Sequence, residues 1–169
     1  TLGRLEQQAD RETVVQAHRL LWEHFIAQHD QAPAEIVLDF DATDVPVHGD
    51  QEGRFFHGYY DHYCFLPLYV FCGRHLLVSY LRPSNIDGAR HSWAILALLV
   101  KFIRRFWPET RIVFRGDGGF CRHRMLDWCD RKQVDYVVGL ARNTRLQRMA
   151  APAMQAVAEA YQETGQKMS

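Results

Sequence analysis

Apolar residues recur along this chain at two spacings, and the switches between them mark out its elements. Val14, His18, Leu21 and Phe25, with Val15, Trp22 and Ile26, repeat at helical intervals. Asp10 can cap that helix, and Gln31-Ala32-Pro33 breaks it after about residue 29. Residues 35–41 then alternate as a short strand, with Val37, Asp39 and Asp41 on one face and Ile36, Leu38 and Phe40 on the other. From Pro46 to Tyr60 the chain is polar, glycine-bearing and aromatic, which predicts an ordered loop. Two long strands follow, about 61–72 and 75–82, turning near Gly73-Arg74, with Pro67 marking an edge position or a bulge. Asp87 is the next expected N-cap, for a helix carrying Trp93, Leu96, Leu99, Val100 and Ile103 that ends before Pro108. Ile112 to Phe114 is a buried strand and Gly116-Asp117-Gly118-Gly119 a tight turn. Cys121–Lys132 predicts a helix, Val134–Leu140 a strand, and Arg145 to about Glu163 a final helix.

Three antiparallel strands followed by alternating helices and strands predict an α/β fold, a mixed sheet with helices on its faces. If the helix before the fourth strand returns that strand beside the first, in parallel, Asp41 and Asp117 come together. Both end apolar runs, and strand ends aim side chains at the crevice where α/β proteins do their chemistry. Two carboxylates sharing a hard cation, with substrate phosphates completing its shell, suit in-line phosphoryl transfer. The plainer alternative is that both aspartates serve their own turns by local hydrogen bonding.

Composition narrows the field. A hydrophobic fraction of 47%, with 6 Pro and 11 Gly, describes a folded chain. No apolar run approaches the roughly 20 residues of a membrane span, and the first 19 residues are too polar for a cleavable signal. A cytoplasmic protein is expected. Cys64, Cys72, Cys121 and Cys129 lack metal-binding spacing and read as reduced thiols. His48, His57 and His62 read as satisfied or surface histidines. The net charge is zero but unevenly spread. Residues 1–81 carry five Lys/Arg against twelve Asp/Glu, whereas residues 82–148 carry fourteen against six. A cationic half beside an acidic one suits a phosphate-binding surface around metal-holding carboxylates, although arginines also solvate helix faces.

The motifs taken together are similar to those of a known family. Leu38-Asp39-Phe40-Asp41-Ala42-Thr43-Asp44, His48-Gly49-Asp50-Gln51-Glu52-Gly53, Gly58-Tyr59-Tyr60 and Leu66-Pro67-Leu68 resemble the DDE transposases of bacterial insertion sequences. So do Leu81-Arg82-Pro83, Arg115-Gly116-Asp117-Gly118-Gly119-Phe120, and Asp135 to Leu140 followed by Asn143. The resemblance implies a ribonuclease H-like catalytic core that uses Mg²⁺ (or Mn²⁺) to cut element ends and join them to target DNA. It implies a homodimer or larger assembly and a nucleoid-associated location. Asp41 and Asp117 then stand as the first and second catalytic, metal-holding acids. Asp39 is an outer partner of Asp41, while Gln51, Arg54, Arg115 and Asn143 are expected near the site or on DNA.

One departure matters. The family's third acid is a glutamate on a later helix, beyond an inserted β-rich region, and the sequence stops at Ser169 where that insertion would begin. Glu159 and Glu163 are the candidates within the chain. The expected organisation is a helical segment over 1–33 and a catalytic core over 34–169, truncated before the third acid and inactive alone. Two alternatives remain open. Asp39-Phe40-Asp41-Ala42-Thr43 also fits a haloacid dehalogenase-like phosphatase, with Asp39 as nucleophile and Mg²⁺ as cofactor. A non-catalytic nucleic-acid-binding fragment is the other.

Overall fold

The computed structural model describes residues 10–140 and 143–164. The chain forms two compact units, residues 1–139 and 140–169. The first opens with helix α1 (Arg11–Ala27), whose N-cap Asp10 accepts from the Thr13 backbone N–H at 2.8 Å. Its strands are β1 (Glu35–Ala42), β2 (Val45–Pro46), β3 (Phe55–His57), β4 (His62–Phe65), β5 (Leu68–Cys72) and β6 (His75–Tyr80), then β7 (Arg111–Gly116) and β8 (Asp135–Val138). Helix α2 (Ser92–Phe106) precedes β7, and a 3₁₀ turn (Gly118–Phe120) with helix α3 (His123–Arg131) separates β7 from β8. The second unit holds α4 (Thr144–Thr164).

Five strands form one sheet in the order β6-β5-β1-β7-β8. The β6–β5 and β5–β1 pairs are antiparallel, whereas β1–β7 and β7–β8 are parallel. This is the ribonuclease H-like arrangement, with β1 at the centre of a mixed sheet. Alternation along β1 explains the layering. Ile36, Leu38 and Phe40 are buried in one core with Leu68, Val70, Ile112 and Phe114 of neighbouring strands and Leu96, Leu99, Val100 and Ile103 of α2. The Phe40 and Phe114 rings meet edge to face at 5.1 Å. Helix α1 joins through Phe25, and the Trp22 indole donates to the Leu77 carbonyl at 2.8 Å.

Three expectations are corrected by the backbone. The stretch 46–60 is not all loop: β3 lies within it, and β2-β4-β3 make a separate three-stranded sheet. The long strand over 61–72 is two, β4 and β5 in different sheets, because Leu66-Pro67 leaves the ladder where proline cannot donate. Asp87 caps a turn rather than a helix, with its Oδ1 accepting from the Ala89 N–H at 2.8 Å, and α2 starts only at Ser92.

That turn is held from below by Arg82, which is 1% exposed. Its Nε donates to the Leu66 carbonyl at 2.9 Å, and its Nη1 donates to the carbonyls of Gly88 at 3.1 Å and Arg90 at 2.6 Å. Among the described residues no carboxylate forms a salt bridge with it; backbone carbonyls hold the charge. Arg82→Met keeps much of the stem but leaves those carbonyls without their donor. It is expected to lower stability by about 3 kcal/mol, read as a lower urea midpoint at unchanged slope; an unmoved midpoint would refute the clamp.

Candidate active site

The parallel pairing of β1 with β7 aligns the two acidic motifs. In register, Asp39 stands opposite Arg115 and Phe40 opposite Gly116. The next step along both chains is Asp41 and Asp117. Asp41 shares the solvent-facing side of β1 with Asp39, because Leu38 and Phe40 point into the core. Asp117 continues the extended backbone, at φ −74° and ψ −177°, on the side of Arg115, while Phe114 and Phe120 fill the core. Adjacent strands run about 4.8 Å apart, and these two exposed carboxylates stand at equivalent positions on neighbouring strands.

The turn holding Asp117 is tightly built. Its Oδ1 accepts from the Gly119 N–H at 2.8 Å. The local hydrogen bonding that a turn aspartate would serve is therefore present alongside the paired geometry. Gly139, just past β8, donates its N–H to the Gly116 carbonyl at 3.2 Å. A Cβ there would stand 2.9 Å from the Gly118 nitrogen. Only glycine lets the end of β8 lie against this turn.

Asp39 does not join the pair. Both its oxygens accept from the Arg115 guanidinium, through Nε and Nη2. Hydrogen bonding to Asp39 raises the Arg115 pKa further above its ordinary value. The partnership neutralises a third carboxylate that would otherwise repel the other two. Tyr60 lies near the acids. Burial, then the negative charges of Asp44, Tyr59 and Asp41, push its phenol above the ordinary range, so it stays protonated near neutral pH. Asp44 pairs with His62 at 2.7 Å.

The other expected residues are each placed within their own unit. Gln51 is exposed between β2 and β3. Arg54 pairs with Asp50 and lies over the Tyr63 ring at 4.7 Å on the small sheet. Asn143 caps α4, its Oδ1 accepting from the Leu146 N–H at 2.8 Å. Glu159 accepts from Gln155 at 2.9 Å within the second unit, and the side chain of Glu163 lies outside the described residues. Among the described residues, no group of three His, Cys, Asp or Glu side chains is placed to hold a metal. Among them, too, no helix is long and apolar enough to cross a membrane.

A model of the family described as Transposase DDE domain group 1 matches residues 1–169. The chain belongs to this transposase family. A search of curated proteins finds no match. Among solved structures, the transposase domain is similar to the catalytic domain of Mos1 mariner transposase at 13% identity and a TM-score of 0.44, over 90% of this chain and 74% of that one. It is also similar to the piggyBac transposase of a synaptic complex with hairpin DNA, at 17% identity and a TM-score of 0.44. That match covers 75% of this chain and spans only 28% of the piggyBac chain. Family membership rests on the sequence match across the whole chain.

Tyr60, Arg82 and Gly139 were missed as site-building residues. The signals lay in the motifs: a tyrosine in Gly58-Tyr59-Tyr60, an arginine ending an apolar strand, and a glycine at the close of another. Gly139→Ala is expected to displace the Asp117 turn of the transposase domain and weaken Mn²⁺ binding at least about fivefold, a loss of roughly 1 kcal/mol. Calorimetric titration of variant and parent would measure it, and equal affinity would show that the turn yields at no cost.

Proposed function

We propose that this domain carries out metal-dependent cleavage and strand transfer of DNA at the ends of an insertion element, with Asp41 and Asp117 as its metal-holding acids. The observation that supports the reading most is the register: the two acids occupy equivalent positions one step beyond the last β1–β7 pair, on one face. The donor set fits the group. Two exposed carboxylate ligands suit Mg²⁺ or Mn²⁺, which commonly take one or two protein carboxylates and complete their shell with water and substrate phosphate oxygens.

When bound, the metal would activate a water or 3′-hydroxyl and stabilise the leaving oxygen of an in-line displacement. The remaining work falls to the chain. Asp41 and Asp117 fix where negative charge gathers and so where a backbone phosphate is drawn by the ion. The Asp117–Gly119 hydrogen bond and the close approach of Gly139 keep one acid from turning away. Arg115, exposed on the same face and oriented by Asp39, supplies a cation beside the incoming strand. Tyr60, protonated and within the electrostatic reach of Asp41, is available as a donor to a phosphate or to water. Bringing two element ends together calls for at least two copies of the protein.

In a complete chain, Asp41→Asn and Asp117→Asn are each expected to reduce cleavage of end-containing DNA at least about a hundredfold, equivalent to some 2.7 kcal/mol, while leaving DNA affinity within about twofold. Chelation should abolish cleavage, and Mn²⁺ should restore it. Cleavage that survives either substitution would reject the assignment. An aspartyl-phosphate trapped on Asp39 would establish the phosphatase instead, and binding without any metal-dependent cutting in the parent would leave a binding module.

A further inference from the structure

Asp44 and His62 form a half-buried pair that the two-acid reading leaves without a task. His62 Nε2 stands 2.7 Å from Asp44 Oδ2, and the two side chains remain 37% and 21% exposed. A carboxylate only accepts, so Nε2 carries the hydrogen and Nδ1 keeps its lone pair. Nδ1 has no hydrogen-bond partner among the described residues. The small sheet does not need the pair as a strut. Its β2 and β4 are already joined by backbone at Val45–Phe65 and Pro46–Cys64, and the Val47 N–H donates to the Tyr63 carbonyl at 3.0 Å.

The pair stands at the acidic end of β1. Asp44 lies just past Ala42, the last residue of that strand, and three residues beyond Asp41. Tyr60 links the pair to the acids: its ring stacks on that of His62 at 6.1 Å and 28°, and its phenol feels the negative charge of both Asp44 and Asp41. The charged and titratable groups around the imidazole are few. Asp44 faces it from the entry to β2, His57 is its cross-strand partner on β3, and Tyr60 and Asp61 come from the turn before it. The His57 ring lies against Tyr60 at 4.8 Å. Among the described residues no lysine or arginine forms a salt bridge with Asp44, so its carboxylate is left to the imidazole. An imidazole with one nitrogen fixed on a carboxylate and the other bare is the arrangement of a general base.

We propose that His62, oriented by Asp44, is the general base of the cleavage reaction and takes at Nδ1 the proton of the attacking water or 3′-hydroxyl. The inference rests on Asp41 and Asp117 carrying the metal, and adds where the proton goes. As the attacking oxygen bonds to phosphorus, its O–H proton moves to Nδ1. The P–O3′ bond breaks with its electron pair on the 3′-oxygen, which takes a proton from water. The imidazolium, stabilised by the Asp44 carboxylate, then releases its own proton to solvent. In-line displacement sets the leaving oxygen opposite the attacking one, so a single base serves the attacking side alone. Asp44 acts through the ring, as a positioning residue.

Cleavage of end-containing DNA by a complete chain with Mn²⁺ tests it. His62→Ala should slow cutting about a hundredfold, with DNA and Mn²⁺ affinities within about twofold of the parent. Added imidazole should then restore a rate that rises with its concentration, and should leave the parent unchanged. His62→Gln keeps a donor to Asp44 and fills the space, so it should be equally slow and gain nothing from imidazole. Cutting within about threefold of the parent in both variants overturns the base and leaves the two acids in place. A slow His62→Ala that imidazole does not help overturns it too, since a strut would behave that way. On the unaltered protein, ring-nitrogen NMR should place the hydrogen of the neutral His62 ring on Nε2. Hydrogen on Nδ1 would overturn the assignment however the variants fold. If the parent shows no metal-dependent cutting, the two-acid reading itself falls, and the base with it.

Discussion

The parallel pairing of β1 with β7 is the constraint on which the rest of this domain depends. Parallel neighbours cannot be joined by a tight turn, and here the small sheet, β5, β6 and α2 intervene before the chain returns. The placement of β5 and β6 on the far side of β1 leaves its other edge open for β7. With the register fixed by the alternating core residues, a slip of one position would turn Phe114 out of the core and Asp117 into it. The burial of Leu38, Phe40, Ile112 and Phe114 is thus what holds two carboxylates on one face. The acids themselves contribute nothing to that choice; their mutual repulsion opposes it.

Charge around the pair is managed locally. Arg115 takes up Asp39, and Arg111 bridges Glu35 and Asp135 further down the same strands. These are exposed cross-strand pairs, each worth at most about 1 kcal/mol to the fold. Their larger effect is to confine unpaired negative charge to the end of the sheet. Arg90, Arg122 and Arg124 are exposed at the turn over Arg82 and at the starts of α2 and α3.

Much of this was legible in the residues. The alternation of 35–41, the apolar run before Asp117 and the two-strand insert between them fixed the layer architecture, because burial periodicity reflects local geometry directly. The helix starting at Asp10 was legible for the same reason. The small sheet was not: β2 and β3 are two and three residues long, too short for alternation to register, and they are defined by their partner β4. Asp87 misled because an aspartate caps a turn as readily as a helix. Arg82 was hidden because a buried arginine held by backbone carbonyls through Nε and Nη1 leaves no acidic partner to look for in the sequence. The pairing of Asp39 with Arg115 was equally invisible, since it arises only once the strands are in register.

Gly139 has a consequence beyond the room it leaves. With its backbone almost touching that of Gly118, there is no compressible side chain between the exit of β8 and the turn bearing Asp117. A push on the polypeptide leaving β8 is transmitted to that carboxylate through main-chain atoms alone. The last strand of the sheet thereby acts as a mechanical stop for Asp117.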